Sequence, residues 1–103
     1  MTGFVQEIRE WRRIFGSPER VRWVQGQDCI FCGATPCDNA HVTNGGMGRK
    51  AGYQYIVPAC TKNRDGCHWE MDHGMGKKAM ERKYGLNLRE EARRIEGLWE
   101  ELA

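Results

Sequence analysis

The stretch CIFCGATPCDNAH, residues 29–41, decides the reading, because it brings three cysteines, an aspartate, an asparagine and a histidine into one short run. Cys29-x2-Cys32 puts two thiols on a single tight turn, a spacing that lets both sulfurs reach one tetrahedral ion while backbone amides face them. Redox sites share this spacing, but they sit at a strand-to-helix junction, and no such pattern surrounds this pair. Five cysteines in 103 residues is a high count for a chain with no apolar leader and no stretch able to span a bilayer. The expected location is therefore cytoplasmic, where thiols stay reduced and metal binding is a better default than disulfides.

The partners of Cys29 and Cys32 must come from downstream. Cys60 and Cys67 flank the loop TKNRDG, which is longer than the usual separation of two zinc ligands. Cys37 is the competitor. The favoured set is Cys29, Cys32, Cys60 and Cys67, with Cys37 as the free or alternative thiol. A structural zinc there adds folding free energy directly to a domain too small to rely on its core alone.

An apolar fraction of 40% with 29% charged residues fits a soluble globular chain and excludes a disordered or membrane one. The length suits one domain. Its segments read as an N-terminal helical part (1–25), a cysteine- and histidine-bearing core (26–84) and a C-terminal helix (85–103). A net charge of +2 does not by itself argue for a nucleic-acid partner. The distribution says more: Arg9, Arg12, Arg13, Arg20 and Arg22 crowd the first quarter, and Arg49, Lys50, Lys62 and Arg64 sit among the cysteines and histidines. Basic groups so placed suit a phosphodiester, whose affinity comes mostly from phosphate contacts.

Hydrophobic periodicity supplies the elements. Phe4, Ile8, Trp11 and Phe15 form one helical face, expected to be core, which Gly16 ends; Ser17-Pro18 caps a second helix through Val24. Residues 26–52 read as loop, with Asn44-Gly45-Gly46-Met47-Gly48 its most pliant part. Tyr53 to Ala59 reads as a strand with Pro58 marking its end. A helix is expected from Cys67 to about Tyr84, stopped by a left-handed Gly85. Asn87 and Glu90 look like a capping box for a last helix with Leu88, Ala92, Ile95, Trp99 and Leu102 on its apolar face. The three histidines, His41, His68 and His73, all fall in or beside the cysteine region.

As a set, Cys29-x2-Cys32, Ala40-His41, the run Gly45 to Lys50, Val57-Pro58-x-Cys60 and His68-x4-His73-x2-Gly76 resemble HNH (ββα-metal) nucleases of the phage and prophage type. That branch includes RecA-dependent nucleases and uncharacterised prophage proteins. The lead-in RVRWVQGQDCIFCG and the exit MERKYGLNLREEA are also similar, so the resemblance covers roughly residues 20–95. Each motif alone is weak; together they are specific. The resemblance implies an α+β fold, a small zinc-stapled ββα-metal core with flanking N- and C-terminal helices. It also implies a metal-dependent endonuclease, a phosphodiester hydrolase acting on DNA in the host cytoplasm if phage-encoded. Phage or host recombination or packaging proteins are implied as further partners, and no membrane.

Carried over residue by residue, His41 is the general base that deprotonates water. His68 and His73, from the start of the following helix, hold a divalent ion, Mg²⁺ or Mn²⁺. Arg49 and Lys50 bind substrate, with the glycines before them letting backbone approach a phosphate. Alternatives stay open at three points. The residue before the base, often a ligand in the family, is Ala40, so Asp38 or a water serves, or His41 is itself a ligand. His68 and His73 are turned about 140° apart on a regular helix, so either His68 lies in the cap or Asp72, on the same face, is the second ligand. The asparagine or aspartate that braces the hairpin in many relatives is replaced by Tyr53 or Tyr55, leaving that task to Asn44, Asn39 or another polar group. Two other readings compete with the enzyme: a non-catalytic zinc module that grips nucleic acid or protein, and a redox-responsive zinc protein with Cys37 as sensor.

Overall fold

The computed structural model describes residues 2–44, 51–61 and 66–103, with side chains from residue 6 onward. Helix α1 (Thr2–Phe15) stops at Gly16, as its periodicity predicts. Ser17 then caps α2 (Pro18–Gln25), its hydroxyl accepting from the Arg20 amide at 3.1 Å, with Pro18 in the first turn where its missing N–H costs nothing.

The apolar stripe of α1 does not become core. Ile8 and Trp11 are 43% and 37% exposed, and only Phe15 is half-buried, its ring edge-on to His41 with centroids 5.6 Å apart; the side chain of Phe4 lies outside the described set. Periodicity identifies a face but not what covers it, and α1 meets the rest of the fold through residues such as Ile14 and Phe15. Arg20 departs from expectation in the opposite sense. Counted among bases available to a phosphate, it is 1% exposed, bonds Glu96 Oε1 at 3.1 Å and lies over the Tyr53 ring at 5.1 Å. It ties α2 to the C-terminal helix.

Within the stretch expected to be loop, residues 37–41 form strand β1 (Cys37–His41), antiparallel to β2 (Ile56–Cys60), with Cys37 opposite Cys60 and His41 opposite Ile56. The segment CDNAH has neither β-branched residues nor alternation, so it gives no local strand signal; pairing with the apolar IVPAC makes it one. The strand expected from Tyr53 begins instead at Ile56, after a 3-10 turn (Tyr53–Tyr55). Pro58 sits in the middle of β2 rather than ending it, opposite Asn39. In a two-stranded sheet both strands are edges, so a residue without N–H is tolerated, and the Pro58 carbonyl still accepts from the Ile30 amide at 3.1 Å.

The helix expected to run from Cys67 to Tyr84 is two: α3 (Cys67–Asp72) and α4 (Lys77–Tyr84). The break lies at HGMG. A Cβ on Gly74 would meet the Glu70 Cα at 2.8 Å, and Gly76 holds φ at 90°, a region that disfavours side chains. Gly85 closes α4 in the left-handed conformation, as predicted. Asn87 caps α5 (Leu88–Leu102) by accepting from the Glu90 amide at 3.0 Å. Leu88, Ala92 and Ile95 bury its inner face, Trp99 packs on Trp23 with centroids 5.4 Å apart, and Leu102 stays 66% exposed.

The core runs from the cysteine turn through Ala40 and Val57 to Met71, Met80, Leu88 and Ala92. The molecule is thus a small α+β fold in which helices flank one short strand pair. Among the described residues, no helix is long and apolar enough to cross a membrane.

Candidate functional site

The sulfurs of Cys29, Cys32, Cys60 and Cys67 all lie within 4.8 Å of one another, and Cys32 Sγ is 3.6 Å from Cys60 Sγ. Zinc–thiolate bonds of about 2.3 Å set tetrahedrally require sulfurs about 3.8 Å apart, so these four residues fit a structural metal such as zinc. Local backbone prepares the site. Gly33, at φ 77°, lets the chain turn back so that its amide donates to the Cys29 carbonyl at 2.9 Å. The amides of Phe31 and Cys67 donate to Cys29 Sγ at 3.4 Å and Cys60 Sγ at 3.3 Å, contacts that favour the thiolate a metal needs. Burial pushes the thiols of Cys32 and Cys67 up, so without a cation they hold their protons; a bound ion displaces those protons.

The fifth cysteine is not a ligand in this arrangement. Cys37 is 2% exposed and its thiol donates to the Ala34 carbonyl at 3.3 Å. Burial, with the nearby Cys29 sulfur adding, pushes it up to about 12. Among the described residues, the four thiols are the one group of three or more donors close enough to share an ion.

His41 lies at the other end of the strand pair from the sulfur site. Cys60 opposes Cys37 while His41 opposes Ile56, and four strand residues span about 13 Å. His41 Nε2 lies 2.9 Å from the Ile14 carbonyl. A carbonyl only accepts, so Nε2 is the donor in this contact.

His68, next to the zinc-site Cys67, is the second residue of α3, so the cap alternative does not hold. Its Nδ1 is 2.9 Å from Asp38 Oδ2 and its Nε2 is 3.1 Å from Asp72 Oδ2. Lys77 Nζ reaches the other Asp72 oxygen at 3.2 Å. The Asp38 contact is a hydrogen bond, whereas the Asp72 contact is a close approach of Nε2 to a carboxylate oxygen without hydrogen-bond geometry.

Between the two candidates for a partner to His68, the helix puts Asp72 alongside it. His73 is the residue that terminates α3, at φ −129° and ψ −13°, and its ring packs against Trp69 at 6.3 Å. All three histidines nevertheless line one cleft of about 570 Å³, together with Asn39, Asp72 and Lys77. Asn39 Nδ2 donates to the Val21 carbonyl at 3.1 Å and so holds β1 against α2.

Arg49 and Lys50, the expected substrate-binding pair, lie outside the described residues, as do Lys62 and Arg64. Sequence reasoning missed Lys77, whose spacing to Asp72 carries no helical signal across the glycine break. It also missed the Ile14 carbonyl, a backbone atom that no motif marks.

A family model described as "Protein of unknown function (DUF968)" matches residues 8–97, nearly the whole chain. The chain belongs to the DUF968 family. The zinc-fitting cysteines and all three histidines fall within the matched DUF968 region. The "Uncharacterized protein YdfU" of Escherichia coli (strain K12) is 34% identical over 80 residues, covering 75% of this chain and 21% of that protein. The chain therefore spans about a fifth of the length of this curated relative. No solved structure matches it.

Proposed function

We propose that this chain is a metal-dependent endonuclease of the HNH kind that hydrolyses DNA phosphodiester bonds. The observation that carries the reading is the cleft itself. His41, its Nε2 hydrogen-bonded to the Ile14 carbonyl, lines the same space as His68, Asp72, His73 and Lys77. Two antiparallel strands followed by a helix, in that chain order, also agree with it.

The residues divide the chemistry as follows. His41 Nδ1 takes a proton from water as the oxygen forms its bond to phosphorus, and the P–O bond on the opposite side breaks. The Ile14 carbonyl fixes the tautomer and the ring plane. His68 Nε2 and Asp72 Oδ2, 3.1 Å apart, have the spacing of adjacent ligands on an octahedral ion with bonds of about 2.1 Å. They would hold the divalent ion, with His73 lining the same cleft. Asp38 supports the ligand by accepting from His68 Nδ1, an arrangement that orients metal-binding histidines. When bound, the ion supplies charge to offset that developing on the phosphate and leaving oxygen. Lys77 neutralises Asp72 on its far side and offers a cation to the phosphate.

The competing reading is a zinc module without catalysis. It rests on the four thiols being the one group of converging metal donors among the described residues. Supercoiled plasmid incubated with zinc-loaded protein and Mg²⁺ or Mn²⁺ separates the two. Nicking by the wild type that His41→Ala abolishes supports the enzyme; DNA binding by both proteins with cleavage by neither supports the module.

A further inference from the structure

We propose that a second pocket, beside the histidine cleft, seats one unpaired nucleobase next to the phosphate on which His41 acts; the inference rests on the nuclease reading above. The pocket holds about 280 Å³ between α1, α2 and β1. Its walls are apolar and partly planar: the rings of Trp11 and Phe15, with centroids 5.5 Å apart, and Val21. Its rim is polar, from Gln25, Asp38 and Asn39. Phe15, Asn39 and His68 line both this pocket and the larger cleft, so the two adjoin.

That combination matches a base in chemistry and size. Aromatic faces stack on any base, and such stacking tolerates every sequence because each base has a π-face. The Asp38 carboxylate and the Gln25 amide at the rim match the amino and ring-nitrogen groups along a base edge. The pocket also accounts for the unexpected exposure of Trp11. A large aromatic on an otherwise regular amphipathic helix is 37% exposed, and Arg9 and Arg12 are exposed on other faces of the same helix. Arginines on the same helix add positive charge near a DNA backbone, and an exposed aromatic face stacks on a base without sequence preference. This favours DNA over an apolar protein partner on the same face.

A base stacked and paired in a duplex does not reach such a seat. The substrate class is therefore DNA with an unpaired base beside the scissile bond: a single strand, a gap, a flap or a flipped nucleotide.

The test compares a fluorescein-labelled single-stranded oligonucleotide with its blunt duplex, by anisotropy, using zinc-loaded protein without added Mg²⁺. The wild type binds the single strand more tightly. Trp11→Ala weakens single-strand binding about 5- to 150-fold with duplex binding and melting temperature little changed, and Trp11→Phe restores most of the loss. Equal wild-type affinity for the two forms overturns the proposal. So does single-strand binding unaffected by Trp11→Ala, including the case where that substitution changes only the oligomeric state. Absence of plasmid nicking alongside a Trp11-dependent single-strand preference removes the nuclease reading and leaves the base seat standing.

Discussion

Asp38 of β1 and His68 of α3, thirty residues apart in the chain, meet with Oδ2 and Nδ1 separated by 2.9 Å. The contact joins the strand to the helix and leaves the other ring nitrogen facing Asp72. If His68 holds the ion, Asp38 sets its orientation and basicity. Asp38→Asn is then expected to lower divalent-ion affinity or nicking rate by about 10- to 100-fold in a folded protein. Manganese titration of plasmid nicking measures this, and an unchanged titration curve would show that Asp38 plays no such part.

Asp72 and His73 make opposite predictions. The helix sets Asp72 Oδ2 3.1 Å from His68 Nε2, whereas His73 ends the helix. Asp72→Asn is expected to remove divalent-ion binding in the cleft, and His73→Ala to weaken it less. Isothermal titration of Mn²⁺ into zinc-loaded protein ranks the two variants. The reverse order would return the ligand role to His73.

If the four thiols hold a structural zinc, that ion contributes to folding. Cys29→Ala is expected to lose both zinc and the folded state, because binding free energy of a structural zinc is folding free energy. Cys37→Ala should keep its zinc, since that thiol bonds a carbonyl outside the set of four. Metal content by atomic absorption, read beside the circular dichroism spectrum, distinguishes them. A well-folded, zinc-free Cys29→Ala protein would count against the staple.

Arg20 and Glu96 provide a test that involves no catalysis. Arg20 is 1% exposed and its Nε and Nη1 already lack hydrogen-bond partners, so Glu96 is the carboxylate that balances its charge. Glu96→Ala strands that charge and is expected to cost about 3 kcal/mol, read from the urea midpoint at constant slope. Glu91→Ala, which removes the surface partner of Arg94, should cost about 1 kcal/mol or less.

The sequence alone determined whatever depends on near neighbours. The Ser17 and Asn87 caps, the stops at Gly16 and Gly85 and the cysteine turn at 29–33 are set by atoms a few residues apart. The favoured four cysteines were also legible, on one side from the Cys29-x2-Cys32 spacing and on the other from Cys60 and Cys67 flanking a single short loop. Tertiary structure alone decided that CDNAH pairs as a strand, that Arg20 is buried while Trp11 is not, and that His68 is held between Asp38 and Asp72. It also decided that the Ile14 carbonyl fixes the His41 ring. Those outcomes depend on which surfaces pack together, and helical periodicity or turn chemistry carries no information about the partner that arrives from elsewhere in the chain.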